Sequence, residues 1–320
     1  MASKKEYNAY AKWEHQLSSK LTSFIDLQLR HVQHTMNGFD ANPSLLVDRK
    51  FDFFNPKAGL SYKENNTIYY SSIAIAHKEP NRDDFEAGLT QQPKQEILYD
   101  WETGFNHKSN NFNWGLNFYY MNYKDQLVLT GKINDVGSYT RTNVPKSYRA
   151  GIELEASWKI TNTLTSSDNI TWSKNKIADF TEYFDDYDNG GQVSIQHHNT
   201  DITLSPNVTA GHSLQYTPWD KIHITWTSKY VSKQYLDNTQ NESRILKAYF
   251  LNDINIAYKI VNKNKWNALL QFYAMNIFDV KYEPNGYTYS YVWGGTTTTS
   301  NNYFPMAGRN YLVSLKIDIK

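Results

Sequence analysis

The 320-residue chain carries 33 Lys and Arg against 32 Asp and Glu, a net charge of +1, so no electrostatic case exists for nucleic acid. It has no Cys, which excludes disulfide frameworks, thiolate metal sites and cysteine nucleophiles. Nor does it hold an apolar run near the roughly 18–20 residues of a membrane helix, although transmembrane barrels stay open because half of each of their strands is polar.

In chain order the dominant signal is alternation of apolar with polar residues. Successive strand side chains point to opposite faces, so each alternating stretch is a strand with one greasy and one wet side. Thirteen such strands are expected, at 4–16, 21–33, 51–63, 67–77, 96–108, 113–130, 137–160, 164–180, 200–217, 221–235, 245–260, 266–278 and 308–319. In the first, Tyr7, Ala9, Ala11 and Trp13 oppose Asn8, Tyr10, Lys12 and Glu14. In the second, Ile25, Leu27 and Leu29 oppose Asp26, Gln28 and Arg30. In the fifth and sixth, Tyr99, Trp101 and Phe105 oppose Asp100, Glu102 and Gly104, and Leu116 and Phe118 oppose Gly115 and Asn117. In the seventh, Ile152, Leu154, Ala156 and Trp158 oppose Arg149, Gly151, Glu153 and Glu155. The wet side carries charge in strand after strand, and 25 Tyr and 9 Trp accompany the pattern. That combination suggests a lumen on one face and lipid on the other.

Connections alternate in length. Short ones fall at 18–20, 64–66, 109–111, 161–162, 218–220 and 261–265; long ones fall at 34–50, 78–95, 131–136, 181–199, 236–244 and 279–307. Short turns on one rim and long loops on the other are the pattern of an outer-membrane barrel, with turns periplasmic and loops extracellular. The fold expected is all-β: an antiparallel transmembrane β-barrel wall in the cell outer membrane of a Gram-negative bacterium, with the lipid bilayer as its surroundings. The chain reads as one domain over 1–320, without a dividing linker and without the apolar core of about 7–15 residues that a secretory signal needs. An odd number of strands is unlike bacterial single-chain barrels, which have even numbers. This points to upstream strands supplied elsewhere.

Three segments carry a family resemblance. NIFDVKYEPNGY at 276–287 and YFPMAGRNYLVSLKIDIK at 303–320 closely resemble the end of TonB-dependent outer-membrane receptors, with an Asn-aromatic-Asp strand end and an Ala-Gly-Arg start to the last strand. EPNRDD at 79–84 looks like a loop motif of that family, and NVPKSYRAGIE at 143–153 like its recurrent strand start. The style is like receptors of the Bacteroidetes. The resemblance implies a 22-strand barrel of which these are the last thirteen strands, preceded in the family by a plug domain and a segment that engages TonB. No plug or TonB-interacting sequence is recognised in the chain, so the missing N-terminal plug and strands, and TonB through them, are expected partners. The final residues, Ile319 and Lys320, depart from the aromatic ending usual in the family.

The resemblance further implies capture of a scarce small-molecule or metal-chelate ligand, such as a ferric siderophore, haem or cobalamin, in external loops and on the plug. Arg82, Asp83 and Asp84 are candidates to contact ligand or plug, against the alternative of a solvated charged turn. Asp185, Asp186 and Asp188, with Asn189 and Gly190, form an acidic loop, but the register of a calcium-binding hand fails. His197 and His198 suit haem or transition-metal ligation only if irregular backbone lets neighbours converge. Tyr287, Tyr289 and Trp293, with Tyr282 and Tyr291, can stack on a flat ligand or sugar, or simply pack as an interfacial girdle. Gly294 and Gly295 beside them suggest flexibility rather than chemistry. No cofactor or resident metal is implied. No phosphate-cradling loop, nucleophile elbow or zincin helix is present, and no enzymatic activity is expected. Two other readings stay open: a passive porin-like, adhesin-like or glycan-importing barrel, and a soluble all-β carbohydrate-binding or structural protein.

Overall fold

The computed structural model describes residues 2–39, 43–87, 92–133, 139–263 and 266–319. The elements are β1 (Ala2–Gln16), β2 (Leu21–Asn37), β3 (Leu46–Glu64), β4 (Thr67–Lys78), α1 (Arg82–Ala87), β5 (Glu96–Lys108), β6 (Phe112–Ile133), β7 (Tyr139–Lys159), β8 (Leu164–Asp186), β9 (Gln192–Asp201) and β10 (Val208–Trp219). They continue with β11 (Ile222–Val231), β12 (Gln234–Tyr235), β13 (Ile245–Leu246), β14 (Tyr249–Lys263), β15 (Trp266–Met275), β16 (Asn285–Trp293), β17 (Thr296–Phe304) and β18 (Asn310–Ile319). One antiparallel wall runs β1-β2-β3-β4-β5-β6-β7-β8-β10-β11-β14-β15-β18. These are the thirteen strands expected from the alternation. Among the described residues β1 pairs only with β2 and β18 only with β15, so the sheet is open.

Register explains why the alternation survives as a surface. Cross-strand partners link Ile25 to Ala58, Ala58 to Ile73, Ile73 to Trp101 and Trp101 to Tyr120. Farther along, Tyr216 meets Ile224, Ile224 meets Ile256, Ile256 meets Phe272 and Phe272 meets Val313. This apolar ribbon faces outward: Leu29 is 61%, Ile73 63% and Trp172 59% exposed, while Ser173 and Asn175 are buried on the other side. The inversion suits lipid outside and polar contents within.

The inner face has its own order. Phe24 stands opposite Gly59, Tyr70 opposite Gly104 and Tyr119 opposite Gly151. A Cβ on Gly59 would lie 2.5 Å from the Phe24 ring, and one on Gly151 2.5 Å from Tyr119 Oη. Each ring therefore lies over a missing side chain on the next strand, which pins register. Polar rungs continue from Tyr70 Oη to Asn117 Oδ1 at 3.0 Å and from Asn117 Nδ2 to Glu153 at 3.2 Å. Arg149 donates to Asn175 at 3.0 Å and to Ser205 at 3.1 Å.

The long-loop rim differs most from the expectation. The wall strands β2, β3, β6 and β8 reach well past the apolar ribbon. The segment at 181–199 is not loop: β8 extends through it and β9 returns along it from Asp185↔Gln192 to Lys176↔Asp201. The strand expected from residue 200 begins at Val208, and the segment at 279–307 contains the β16–β17 hairpin. Part of the connection at 131–136, part of the turn at 261–265, and Lys320 lie outside the described residues. Two apolar clusters sit on the inner face near this rim. One joins Val32, Met36, Phe39, Val47, Phe51, Phe53 and Phe85; the other joins Val128, Val144, Ile177, Phe180 and Ile202.

Gly104→Ala tests the register device. Its Cβ would overlap the Leu116 carbonyl oxygen, which is backbone and cannot rotate away, whereas a Cβ on Gly115 meets the movable Asn106 amide. Gly104→Ala is expected to cost about 1–3 kcal/mol and Gly115→Ala clearly less. Heat-modifiable gel mobility of the folded fraction checks this; equal losses would remove the register role.

Candidate functional site

At one part of the rim, α1 forms a cap over the inner face of β2 and β3. Asn81 and Asp84 cap it reciprocally: Asp84 N–H donates to Asn81 Oδ1 at 2.9 Å and Asn81 N–H to Asp84 Oδ2 at 2.7 Å. Phe85 is then driven into the first apolar cluster, where it is fully buried beside His34. Arg30 clamps the approach to the helix with two bonds to Glu79, at 2.7 and 2.8 Å. Lys4 adds a third at 2.9 Å. Burial pushes the Glu79 carboxyl up, but these two cations outweigh it and hold the group below its ordinary value.

This geometry separates the first candidates. Asp84 is buried and spent on the cap and on Arg141 at 3.4 Å. Arg82 is exposed with its guanidinium over the Phe39 ring at 5.6 Å. Asp83 is exposed in the first turn of α1. The 79–84 motif thus builds a cap, and of its charged residues Arg82 and Asp83 are the exposed ones.

The remaining candidates are brought together elsewhere on the rim. The β16–β17 hairpin lies against the β8–β9 hairpin through two parallel pairs, Tyr291↔Asp185 and Val292↔Asp186. Strand period 2 sorts β16: Thr288 and Ser290 are buried, while Tyr289 and Trp293 stand out at 44% and 65% exposed, with Tyr287 and Tyr291 on the same side. Tyr187 meets Tyr291 and Trp293 edge-on, with ring centroids 5.9 and 6.4 Å apart. The result is an aromatic face flanked by the acidic turn.

The acidic turn itself is committed to structure. Asp186 accepts the N–H groups of Asp188 and Asn189 at 3.0 and 3.1 Å, and the Asn189 bonds hold its carboxyl below the ordinary range. Asp188 reaches across to accept the Gly294 and Gly295 N–H groups at 2.8 and 2.7 Å. Both glycines have positive φ, 62° and 72°, which aims their N–H groups at one point. So this pair is a carboxylate clasp rather than the flexible spacer expected from sequence. Asp185 accepts from Gln192 at 2.9 Å. No cluster of three or more His, Asp or Glu able to hold a metal occurs among the described residues. His197 and His198 lie on regular β9 and diverge, the first to Glu182 at 3.1 Å and the second to Asp179 at 2.6 Å.

Sequence reasoning missed the centre of this rim. Segment 236–244 reads as a polar loop, yet Leu236 and Asn238 are fully buried. Asn238 donates to Leu129 O at 2.6 Å and accepts the Thr203 N–H at 2.8 Å. Arg244 donates to Glu182 at 2.6 Å and to Asp237 at 2.7 Å through Nη1, and to Ser290 at 2.9 Å through Nη2. Burial alone would lower its pKa, but the two carboxylates raise it, so it stays charged. No local signal marks Arg244 as a hub, because its partners Ser290 and Glu182 lie 46 and 62 positions away in the chain.

The segments that carried the family resemblance are staples. Asn276 has φ of 50° and exchanges two bonds with Val280, both 2.9 Å. Asp279 accepts the Arg309 N–H at 2.9 Å, tying the turn after β15 to the start of β18. Asn143 does the same between Lys94 and the carbonyl of Asp125.

An apolar-outside, polar-inside antiparallel wall with ordered loops gathered on one rim defines a transmembrane β-barrel wall. Residues 2–277 match the family described as TonB dependent receptor-like, beta-barrel, and the chain belongs to that family. Its members are transporters, not enzymes. Among solved structures it is similar to the ferric yersiniabactin uptake receptor FyuA from Yersinia pestis, at 17% identity and a TM-score of 0.70, covering 99% of this chain and 46% of that one. The copper transporter OprC is similar at 16% identity and a TM-score of 0.74, covering 99% and 50%. The FrpB iron transporter from Neisseria meningitidis (F3-3 variant) is similar at 18% identity and a TM-score of 0.65, covering 99% and 45%. The chain thus spans about half the length of these structures. No curated protein sequence matches it.

The clamp on α1 is pH-dependent. Because the folded Glu79 value lies below the ordinary 4.5, its contribution is complete above that value and is lost as pH falls through the lowered one. Pepsin cleavage next to Phe85 is expected to be absent near pH 5 and to rise steeply below 4.5. Glu79→Gln, which removes about 2 kcal/mol of charge-assisted bonding, is expected to permit cleavage across the whole range. A pH profile unchanged by Glu79→Gln would refute the clamp.

Proposed function

We propose that this chain forms part of the wall and ligand-capturing mouth of an outer-membrane receptor for TonB-dependent uptake. The observation that carries the reading is the aromatic face of Tyr187, Tyr289, Tyr291 and Trp293, held beside the acidic turn on the long-loop rim. Exposed aromatic faces offer large, rigid contact area to a flat or ring-shaped ligand. A ferric siderophore, haem or cobalamin fits that description; the structural neighbours include proteins named for ferric yersiniabactin and for copper. Tyr287, Tyr289 and Trp293 would stack on ligand. Arg82 and Asp83 on the neighbouring cap, with Asp185, would contact ligand or plug, while Asp84, Asp186, Asp188, His197 and His198 shape the rim.

The wall needs company in this reading. Its edge strands β1 and β18 run in the same direction, because thirteen antiparallel neighbours separate them by an even number of steps. They cannot close on each other with antiparallel pairing. In lipid each unpaired backbone group costs several kcal/mol. An odd number of further strands completes the ring, and a 22-strand barrel would need nine. A plug and a TonB-engaging segment would come with them, and inner-membrane energy would reach the ligand through that plug.

A second reading is favoured by one feature: segment 285–304 contains no charged residue. Neutral stacking surfaces suit glycans, so a glycan importer is the alternative.

Trp293→Ala and Tyr187→Ala test the mouth. Each is expected to weaken binding about tenfold, read by fluorescence titration of the assembled receptor with haemin, cyanocobalamin, a ferric catecholate and a malto-oligosaccharide. If none of the four binds, or if both variants bind unchanged, the mouth reading falls. Recovery of the chain as a compact monomer without detergent would sink the membrane reading.

A further inference from the structure

We propose that Arg244 is the positioning residue of this mouth, and that the β16–β17 hairpin is a lid kept docked by it. The hairpin carries the exposed aromatics yet contributes no residue to either apolar cluster. Among the described residues its backbone pairing with the wall is Tyr291↔Asp185 and Val292↔Asp186, extended by the Tyr187 N–H to Val292 O at 3.1 Å. Its other polar attachments include three. Gly294 and Gly295 hold Asp188, Asn301 Nδ2 reaches Ser243 O at 2.8 Å, and Arg244 reaches Ser290 and Thr299 at 2.9 and 3.4 Å.

Burial ranks these attachments. The glycine clasp and the Asn301 bond are exposed, where water competes and the net value is small. Arg244 has 8% side-chain exposure and binds carboxylates of 12% and 6% exposure, Glu182 from β8 and Asp237 from the inner loop. One guanidinium therefore joins three separate chain segments. The planar fork reaches the carboxylates with one terminal nitrogen and the hydroxyls of β16 and β17 with the other, which an ammonium cannot reproduce.

Two details mark the docked state as one that can be left. Arg244 Nε is buried without a hydrogen-bond partner. Beneath the hairpin lies a cavity of about 130 Å³ whose lining includes Thr130, Lys132, Glu182, Asp237, Arg244 and Ser290. Water enters this cavity when the hairpin lifts, and lifting also uncovers Leu236, whose Cδ2 lies 2.9 Å from where a Cβ on Gly286 would stand. Once undocked, a two-stranded hairpin is marginal in water, and its internal bonds open too.

The consequence for ligand capture rests on the mouth reading above, but docking can be measured without any ligand. Hydrogen–deuterium exchange of the full chain in detergent micelles would follow segment 285–304 in the unchanged protein and in R244M, R244K, D188N and the triple replacement E182Q/D237N/R244M. The triple removes all three charges together, so that no buried carboxylate is orphaned. Exchange of 285–304 is expected to accelerate on the order of ten- to hundredfold in R244M and in the triple. R244K is expected to recover only part of the protection, D188N to lose less than about threefold, and the β10–β11 segment to stay unchanged. Protection of 285–304 within about twofold of the unchanged protein in R244M and the triple would overturn the proposal. So would an equal loss in D188N, which would make the clasp the hub, or a loss spread over β10–β11, which would make Arg244 a residue of the whole fold.

Discussion

Everything in this protein follows from one constraint: a backbone amide or carbonyl in lipid must be hydrogen-bonded to another part of the protein. Water is not there to substitute. No helix among the described residues is long and apolar enough to cross a membrane; in a barrel of this family strands cross instead, and a strand satisfies its backbone only through neighbours on both sides. The thirteen-strand antiparallel wall answers this for eleven of its strands and leaves β1 and β18 satisfied on one side each. The same requirement that builds the sheet is therefore unmet at its two edges within this wall.

Pairing in turn fixes what side chains can do. Register stacks outward residues into a continuous apolar ribbon and inward residues into polar rungs. On the inner face large side chains are accommodated by glycines directly opposite, as Phe24 lies over Gly59 and Tyr119 over Gly151. Small and large residues alternate across strands rather than along them. That arrangement resists slippage, because a shift of one residue would expose the ring to lipid and drive the next side chain into backbone.

Where pairing ends, side chains take over the backbone's work. Asn143 and Asn276 each use both ends of a side-chain amide to bond main-chain groups, and Asn81 joins its Oδ1 and its own N–H to Asp84 in a reciprocal cap. These residues belong to the segments that resemble the receptor family, so the recognisable motifs record how strands start and stop rather than what ligand is taken. The mouth is assembled differently, from charge and aromatic contacts between loops far apart in sequence. A scaffold held by main-chain bonding and a rim held by side-chain bonding allow the rim to vary while the wall persists.

The sequence by itself determined the wall. Strand number, the faces of Ile25, Leu29, Phe118, Glu102 and Glu153, the sorting of turns from loops, and the family follow from period-2 alternation and from local motifs, because both are encoded within a few residues. It also singled out Asp185, Asp188, Tyr289 and Trp293, which tertiary structure brings onto one rim through the β8–β9 and β16–β17 hairpins. Only the tertiary structure decided which of them remain available. Asp188 is spent on Gly294 and Gly295, Asp84 on capping α1, and His197 and His198 diverge. Nor could local pattern reveal Arg244 or the buried loop around it, since an arginine in a polar stretch reads as solvated until Glu182 and Ser290 arrive from elsewhere in the chain. Alternation is a property of one strand and is legible alone; a contact between loops belongs to two segments at once, and only folding brings them within reach.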